Sequence, residues 1–270
     1  RMLICVIIPA AGGSKRYNEA SAELLGEPRS KLDEDLGGRP LLQRTVELFT
    51  SREDVASVVV AGPHDASGFE MFSMRHGDRL SLLGVTLCRG GAEHRWQSVR
   101  AALEYAPDDA THIAVHDAAR PVADEALIER VFEAASRHPA VIPAVEASDT
   151  LKRVSAEPIA EAAEADPLAG ILVDSSTKPL RAVEETIDRT NLVAVQTPQI
   201  FEADLLRRAY EQADLESTDD AGLIERLGER VVVVEGDPLN VKVTRPRDLP
   251  LVRAVGGFKP QKERPTHKKF

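Results

Sequence analysis

Cysteine is almost missing from this chain: 270 residues carry only Cys5 and Cys88. Both fall in apolar runs and read as buried thiols. Two cysteines without close spacing exclude a disulfide framework and a cysteine-based metal cluster, and the expected location is the reducing cytoplasm. Aromatic residues make up 4% of the chain, with a single tryptophan. That leaves no stacking platform for single-stranded nucleic acid. Positive charge is outnumbered, with 34 Lys and Arg against 44 Asp and Glu and a formal net charge of −10. Nonspecific binding to nucleic acid or to an anionic membrane is disfavoured by that field. No apolar run is long enough to cross a bilayer. The apolar run at 3–8 is too short for a secretory signal. No internal repeat is present.

What remains is an ordinary globular composition, 43% hydrophobic and 29% charged, arranged in alternation. Strand-like runs fall at 3–8, 55–61, 85–88, 112–115, 141–145 and 230–234. Helix-like stretches fall between them at 41–50, 97–105, 125–137, 203–213 and 219–227. In the first helix, Leu41, Leu42, Thr45, Val46 and Leu48 mark one face. Strand and helix taking turns predicts an α/β fold, a mostly parallel twisted sheet with helices on both faces. Residues 149–189 break the alternation with two short β-like pieces, 150–154 and 182–187, around an acidic, Ala-rich and Ser-rich middle. They read as a protruding β-arm with an inserted segment at about 155–179. A second excursion is expected at 18–30. Residues 256–270 read as a basic, disordered tail.

Ligands of open α/β sheets sit at the carboxyl ends of the strands, so the turns there carry the functional reading. The first is PAAGGSKR, residues 9–16. Its small residues let backbone N–H groups approach a ligand, and Lys15 and Arg16 add positive charge, a combination suited to phosphate. HDAARP, residues 116–121, follows another strand. Asp117 is placed to hold Mg²⁺, an ion that takes one or two carboxylates and completes its shell with substrate phosphates and water. Arg120 offers a fork for a phosphate. Gly90 and Gly91 permit close approach after a third strand, and Ser98 falls in the first turn of the next helix, where its hydroxyl caps that helix or reads a base edge. Thr218-Asp219-Asp220 reads as a plain helix start. Lys242 stands in a short apolar alternation, where a lone lysine is usually a solvated edge residue.

Taken together, PAAGGSKR, SKL, HDAARP, DTLKR, TIDR, TPQIF, STDDA and NVKVTRPRDL resemble, in that order, the 2-C-methyl-D-erythritol 4-phosphate cytidylyltransferases. The resemblance spans residues 3–255. It implies a Rossmann-like fold, a single nucleotidyltransferase domain over 1–255 with the arm included, and a homodimer formed through that arm. The implied substrates are CTP and a polyol phosphate, with Mg²⁺ as cofactor and no nucleic-acid or membrane partner. The implied catalytic residues are Arg16, Lys31, Arg189 and Lys242. Pro9, Ala10, Ala11, Gly12, Gly13, Gly91, Arg95 and Ser98 match the nucleotide contacts. Ala118, Arg120, Thr150, Thr197 and Thr218 match the surroundings of the polyol phosphate, and Asp117 the metal ligand. The chain departs from the family pattern at Ser14, where a glycine is usual, and at Ser30, where a proline is usual.

Three other readings compete. A cytidylyltransferase for another polyol phosphate, such as ribitol 5-phosphate, shares the first loop and the HDAARP-like turn. A non-catalytic nucleotide-binding protein on the same fold is supported by the unusual stretch between Arg16 and Lys31. A dinucleotide-dependent dehydrogenase is disfavoured, because the first loop lacks the G-x-G-x-x-G spacing and no acid follows at the ribose distance.

Overall fold

The first strand sets the layering. In β1 (Ile4–Pro9), Ile4, Val6 and Ile8 pack into one core and Cys5 and Ile7 into another. Successive side chains of a strand point to opposite faces, so a strand apolar at every position must be covered on both sides. The computed structural model describes residues 2–25, 30–159 and 180–259. These divide into two compact units, residues 1–145 with 195–270, and residues 146–194.

In the larger unit β1 is followed by α1 (Lys15–Leu25), α2 (Leu41–Thr50), β2 (Val55–Gly62), α3 (Ala66–Leu82) and β3 (Thr86–Arg89). Next come α4 (Arg95–Leu103), β4 (His112–Val115), α5 (Glu125–Ala135) and β5 (Ala140–Glu146). The smaller unit holds β6 (Leu151–Val154) and β7 (Val183–Ile187), and β8 (Val193–Val195) straddles the boundary in sequence. The chain then forms β9 (Gln199–Glu202), α6 (Ala203–Tyr210), α7 (Ala221–Arg226), β10 (Val232–Glu235) and α8 (Leu249–Val255).

The main sheet has the strand order β10-β5-β9-β4-β1-β2-β3. All neighbours in that order are parallel except β9, which runs antiparallel to β4 and β5. One face is covered by α2, α3, α5 and α8, through residues such as Phe49, Phe72, Phe132 and Val252. The other is covered by α4, α6 and α7, through Val99, Leu206 and Ile224. This is the mostly parallel, two-sided α/β sheet expected from the alternation. Chain direction places the ends of β1, β3, β4, β5 and β10 on one rim. The start of β9 lies on the same rim because that strand runs the other way.

Several elements differ from the sequence expectation. The excursion at 18–30 is largely helix: α1 continues to Leu25, and 26–29 lie outside the described residues. The stretch 66–82 was not assigned as a helix, yet it forms α3, capped by Asp65, whose Oδ1 accepts from Gly68 N at 2.7 Å. Only Phe72, His76 and Leu80 of α3 are buried, too thin an apolar stripe to register as a period. In the smaller unit β6 and β7 form an antiparallel pair, with Leu151 opposite Ile187 and Arg153 opposite Glu185. Of the inserted segment expected at 155–179, residues 160–179 lie outside the described residues, as does the expected tail beyond 259. Phe258, counted in that tail, lies under the Arg44 guanidinium, 4.6 Å from the ring centroid.

Candidate active site

A cavity of about 950 Å³ opens on the shared rim of the larger unit. Four turns build it, each delivered by a different strand. The turn after β1 supplies Pro9–Ser14, with Arg16 and Tyr17 from the first turn of α1. Ala10 N donates to Ala61 O at 2.8 Å, so the chain leaves β1 still tied to β2. Ser14 takes the left-handed conformation at φ +51, which explains why glycine is the usual residue there. Its carbonyl accepts from Tyr17 N and Asn18 N, both at 2.8 Å. That starts α1 with its N-terminus at the cavity, an end that favours anions. The Lys15 side chain lies outside the described residues.

The turn after β3 supplies residues 91–95 and Ser98. Its two glycines are sterically required. A Cβ on Gly91 would stand 2.1 Å from Gln97 Cβ, and one on Gly90 would stand 2.7 Å from Gly62 O. Gln97 Oε1 accepts from the Glu93 and His94 amides at 3.0 and 3.1 Å, which closes the start of α4. Ser98 therefore does not cap its helix. Its buried hydroxyl accepts from Gly91 N at 3.0 Å and fixes the floor of the turn.

The turn after β4 supplies Asp117, Ala118 and Ala119, and the turn after β10 supplies Lys242 and Thr244. The two are laced together. Val243 N donates to Ala119 O at 2.8 Å, and Asn240 Nδ2 donates to Thr197 O at 2.9 Å. Thr197, just before β9, accepts from Asp117 N at 3.0 Å. Behind it His116 is fully buried. Burial pulls its imidazole down to about 4, so it is neutral and serves as packing and hydrogen-bonding scaffold.

Charge in the cavity is concentrated on Asp117 and the cations around it. Lys242 Nζ lies 2.8 Å from Asp117 Oδ2, Arg120 Nε 3.4 Å from the same oxygen, and Arg95 Nε 3.5 Å from Oδ1. Burial alone would raise the Asp117 carboxyl. Lys242, Arg95 and Arg120 outweigh it and hold the carboxyl well below the usual carboxylate range. Lys31 lines the same cavity and donates to Val243 O at 3.2 Å. Burial, then Lys242, pull its ammonium down to about 8, with Asp117 opposing and Arg16 adding to the pull.

The structure thus brings Arg16, Lys31, Lys242, Asp117, Arg95, Ser98, Gly91, Ala118 and the 9–13 loop onto one cavity. It does not bring Arg120, Thr197 or Thr218 onto the lining. Arg120 is turned inward, donating to Asn240 O and to Asp117. Thr197 is buried beneath Asp117, and Thr218 is exposed. Thr150 and Arg189 belong to the smaller unit, where the Arg189 guanidinium donates to the carbonyls of Ala147 and Ser148.

Sequence reasoning overlooked Asp220. It reads as a helix-start acid, but Asp219 does that work, accepting from Gly222 N at 3.1 Å. Asp220 is buried instead and takes Arg95 NH1 at 2.7 Å, together with the Tyr210 hydroxyl. Two adjacent acids before a helix of which only one can cap was the available signal. Thr244 was also missed, since nothing local marks it.

Among the described residues, no group of three or more His, Cys, Asp or Glu side chains could hold a metal ion. Two carboxylates border the cavity, the exposed Glu93 and the buried Asp117, and only Asp117 lies among the cations. That donor set does not suit zinc or calcium. It does suit magnesium, which needs one or two carboxylates and takes its other oxygens from phosphate and water.

A family model described as IspD, 2-C-methyl-D-erythritol 4-phosphate cytidylyltransferase, matches residues 4–173 and 173–255. A protein of that name from Rhodococcus jostii is 41% identical over 255 residues, covering 93% of this chain and 94% of the relative. Another from Nocardia farcinica is 39% identical, with 93% of each covered. The solved structure of the Thermus thermophilus protein of that name superposes with a TM-score of 0.65 at 33% identity, over 95% of this chain and all of that one. No described helix is long and apolar enough to cross a membrane. The chain belongs to the 2-C-methyl-D-erythritol 4-phosphate cytidylyltransferase family and is a nucleotidyltransferase.

Proposed function

We propose that this chain joins CTP to 2-C-methyl-D-erythritol 4-phosphate in isoprenoid biosynthesis, giving 4-diphosphocytidyl-2-C-methyl-D-erythritol and pyrophosphate. The observation that carries the reading is the convergence of Arg16, Lys31, Lys242 and Asp117 on one cavity, in a chain of this family. A phosphate oxygen of the polyol attacks the α-phosphorus of CTP. The new P–O bond forms as the bond to the β-phosphate oxygen breaks, and pyrophosphate leaves with its charge.

Two anions must be aligned and their shared charge neutralised, which is where such catalysis comes from. In this reading the 9–13 loop and Gly91 hold the nucleotide with their backbone, while Ser98 supports the turn beneath it. Arg95, locked by Asp220, borders the same space. Arg16 and Lys31 stabilise charge on the α-phosphate in the transition state, and Lys242 steers the incoming phosphate. Ala118 leaves room for the acceptor. Thr197 and Arg120 act through Asp117 and the turn after β10. Asp117 would hold Mg²⁺, which when bound neutralises phosphate charge. Lys242 would then exchange its carboxylate partner for phosphate.

The 149–189 segment is proposed as the arm of a homodimer, with Thr150, Arg189 and the exposed Thr218 completing the acceptor end of a site. The reading keeps 1–255 as one nucleotidyltransferase domain and 256–270 as a basic tail. Free, buried Cys5 and Cys88 fit work in the cytoplasm. The test offers CTP and Mg²⁺ with either 2-C-methyl-D-erythritol 4-phosphate or ribitol 5-phosphate and measures pyrophosphate release. Release with the methylerythritol phosphate is expected. Faster release with ribitol 5-phosphate, or CTP binding without turnover on either, overturns the proposal.

A further inference from the structure

Lys31 stands on a single turn of 3₁₀ helix, Lys31–Asp33. A turn this short, with poor internal hydrogen bonds, does not hold its own geometry. Its cap is also long: Ser30 Oγ accepts from Leu32 N at 3.3 Å. Leu32 buries one side of the turn in the core, and the last residue ties down the other. Asp33 reaches away from the catalytic cavity to α3, with Oδ1 2.8 Å from His76 Nε2 and Oδ2 2.8 Å from Arg75 NH1.

His76 is buried, 3% exposed, with its ring 4.9 Å from the Phe72 ring. A carboxylate only accepts, so Nε2 of His76 carries a proton toward Asp33. Burial would raise the Asp33 carboxyl, but the His76 and Arg75 bonds outweigh it and hold the carboxyl below its usual range. Packing does not hold this side of the turn alone. A second cavity of about 370 Å³, bordered by Asp33, Arg75, His76 and the 10–14 loop, leaves space into which the turn can shift.

We infer that Asp33, anchored by His76 on α3, is a positioning residue that sets where the Lys31 ammonium stands. The inference rests on the reading of Lys31 as a transition-state cation. Its consequence is large because a shift of about 1 Å in a catalytic group can cost up to a hundredfold in rate. Nothing in the local sequence marks His76. It is the one imidazole on a helix that carries little other buried surface.

The experiment is a double-mutant cycle on the full chain with CTP, Mg²⁺ and 2-C-methyl-D-erythritol 4-phosphate. His76→Phe keeps a ring of similar size and removes the donor. It is expected to lower kcat by about tenfold or more, with KM for both substrates within about twofold. His76→Gln, which restores an N–H toward Asp33, is expected to recover most of the loss. In a Lys31→Met background, His76→Phe is expected to cost nothing further in kcat. Asp33→Asn, at a partly exposed site, runs the same cycle if His76→Phe does not fold. An equal loss from His76→Phe with and without Lys31 makes the role merely structural and overturns the inference, as does unchanged kcat in His76→Phe. Near-normal kcat in Lys31→Met alone overturns the reading of Lys31 itself, a separable outcome.

Discussion

Lys242 Nζ sits 2.8 Å from Asp117 Oδ2, although the two residues leave the sheet from β10 and β4, at separate positions in the strand order. A carboxylate held by three cations is preset for exchange. In the proposed reaction, each cation that turned to phosphate would free an oxygen of Asp117 for a metal. The same pairing stabilises the fold, so charge in this cavity serves both ends.

Asp117→Asn tests both roles at once. Removing one partner from a buried ion cluster leaves the other charges uncompensated, at a cost of about 3 kcal/mol. A urea midpoint reads that loss, and Mg²⁺-dependent CTP binding by calorimetry should disappear with it. The sign with pH follows from the depressed carboxyl. Its stabilisation is fully present above the unfolded value near about 4 and is lost as pH falls through the lower folded value. Stability near neutral pH is therefore unaffected by small pH changes at this group.

Arg16→Ala and Lys31→Ala each remove a cavity-lining cation that is proposed to face the reacting phosphate. The expected loss is about 2–4 kcal/mol of transition-state stabilisation, read as a fall in turnover of about a hundredfold with an unchanged circular dichroism spectrum. Near-normal turnover in purified Lys31→Ala sinks its assignment.

Lys31 also predicts a pH profile. Burial and Lys242 bring its ammonium down to about 8. In the free enzyme the cation is then lost as pH rises through that value, and kcat/KM should fall on the alkaline side. Bound phosphates favour the charged form, so the limb in kcat should move to higher pH. Lys31→Arg keeps its charge throughout and should abolish the limb. A limb that persists in the Arg variant assigns it elsewhere.

Ser14 is strained and gains nothing from its side chain: φ is +51, and the hydroxyl is buried without a hydrogen-bond partner. Ser14→Gly should be neutral or stabilising by up to about 1 kcal/mol, and Ser14→Val destabilising by about 1–2 kcal/mol, because β-branched residues resist positive φ. Urea midpoints order the three chains, and an order reversed between Gly and Val removes the explanation.

Gly91→Ala tests the nucleotide end. The added Cβ meets Gln97 Cβ at 2.1 Å, on the first turn of α4, which cannot swing aside as a surface side chain would. The turn must open, and the Gly91 N–H bond to Ser98 Oγ with it. Losing that partly buried bond and the turn geometry should weaken CTP binding by about 1–3 kcal/mol, measurable as a rise in Kd. Tight CTP binding in Gly91→Ala would place the nucleotide elsewhere.

Most strands and most helices were legible because their apolar periods are unbroken, but the short strands β8 and β9 were not assigned. The run at 3–8 and the face of α2 state their own burial. The rim turns were legible because small residues, glycines and charges cluster where strands end. Helices α1 and α3 were not, since their apolar stripes are thin. Asp220 was hidden by its suitability as a helix-start acid, and Lys242, which locally looks like a solvated edge residue, was named only through the family resemblance. Periodicity and turn composition act between near neighbours, so the chain alone determined the layers, the strand ends and the candidate cations. Which cation meets which carboxylate depends on strand order, on β9 running against its neighbours, and on the distances these create between remote turns. Coulomb energy depends on separation in space, and only the tertiary structure decided that Lys242, Arg95 and Arg120 converge on Asp117 while Asp220 is committed to Arg95.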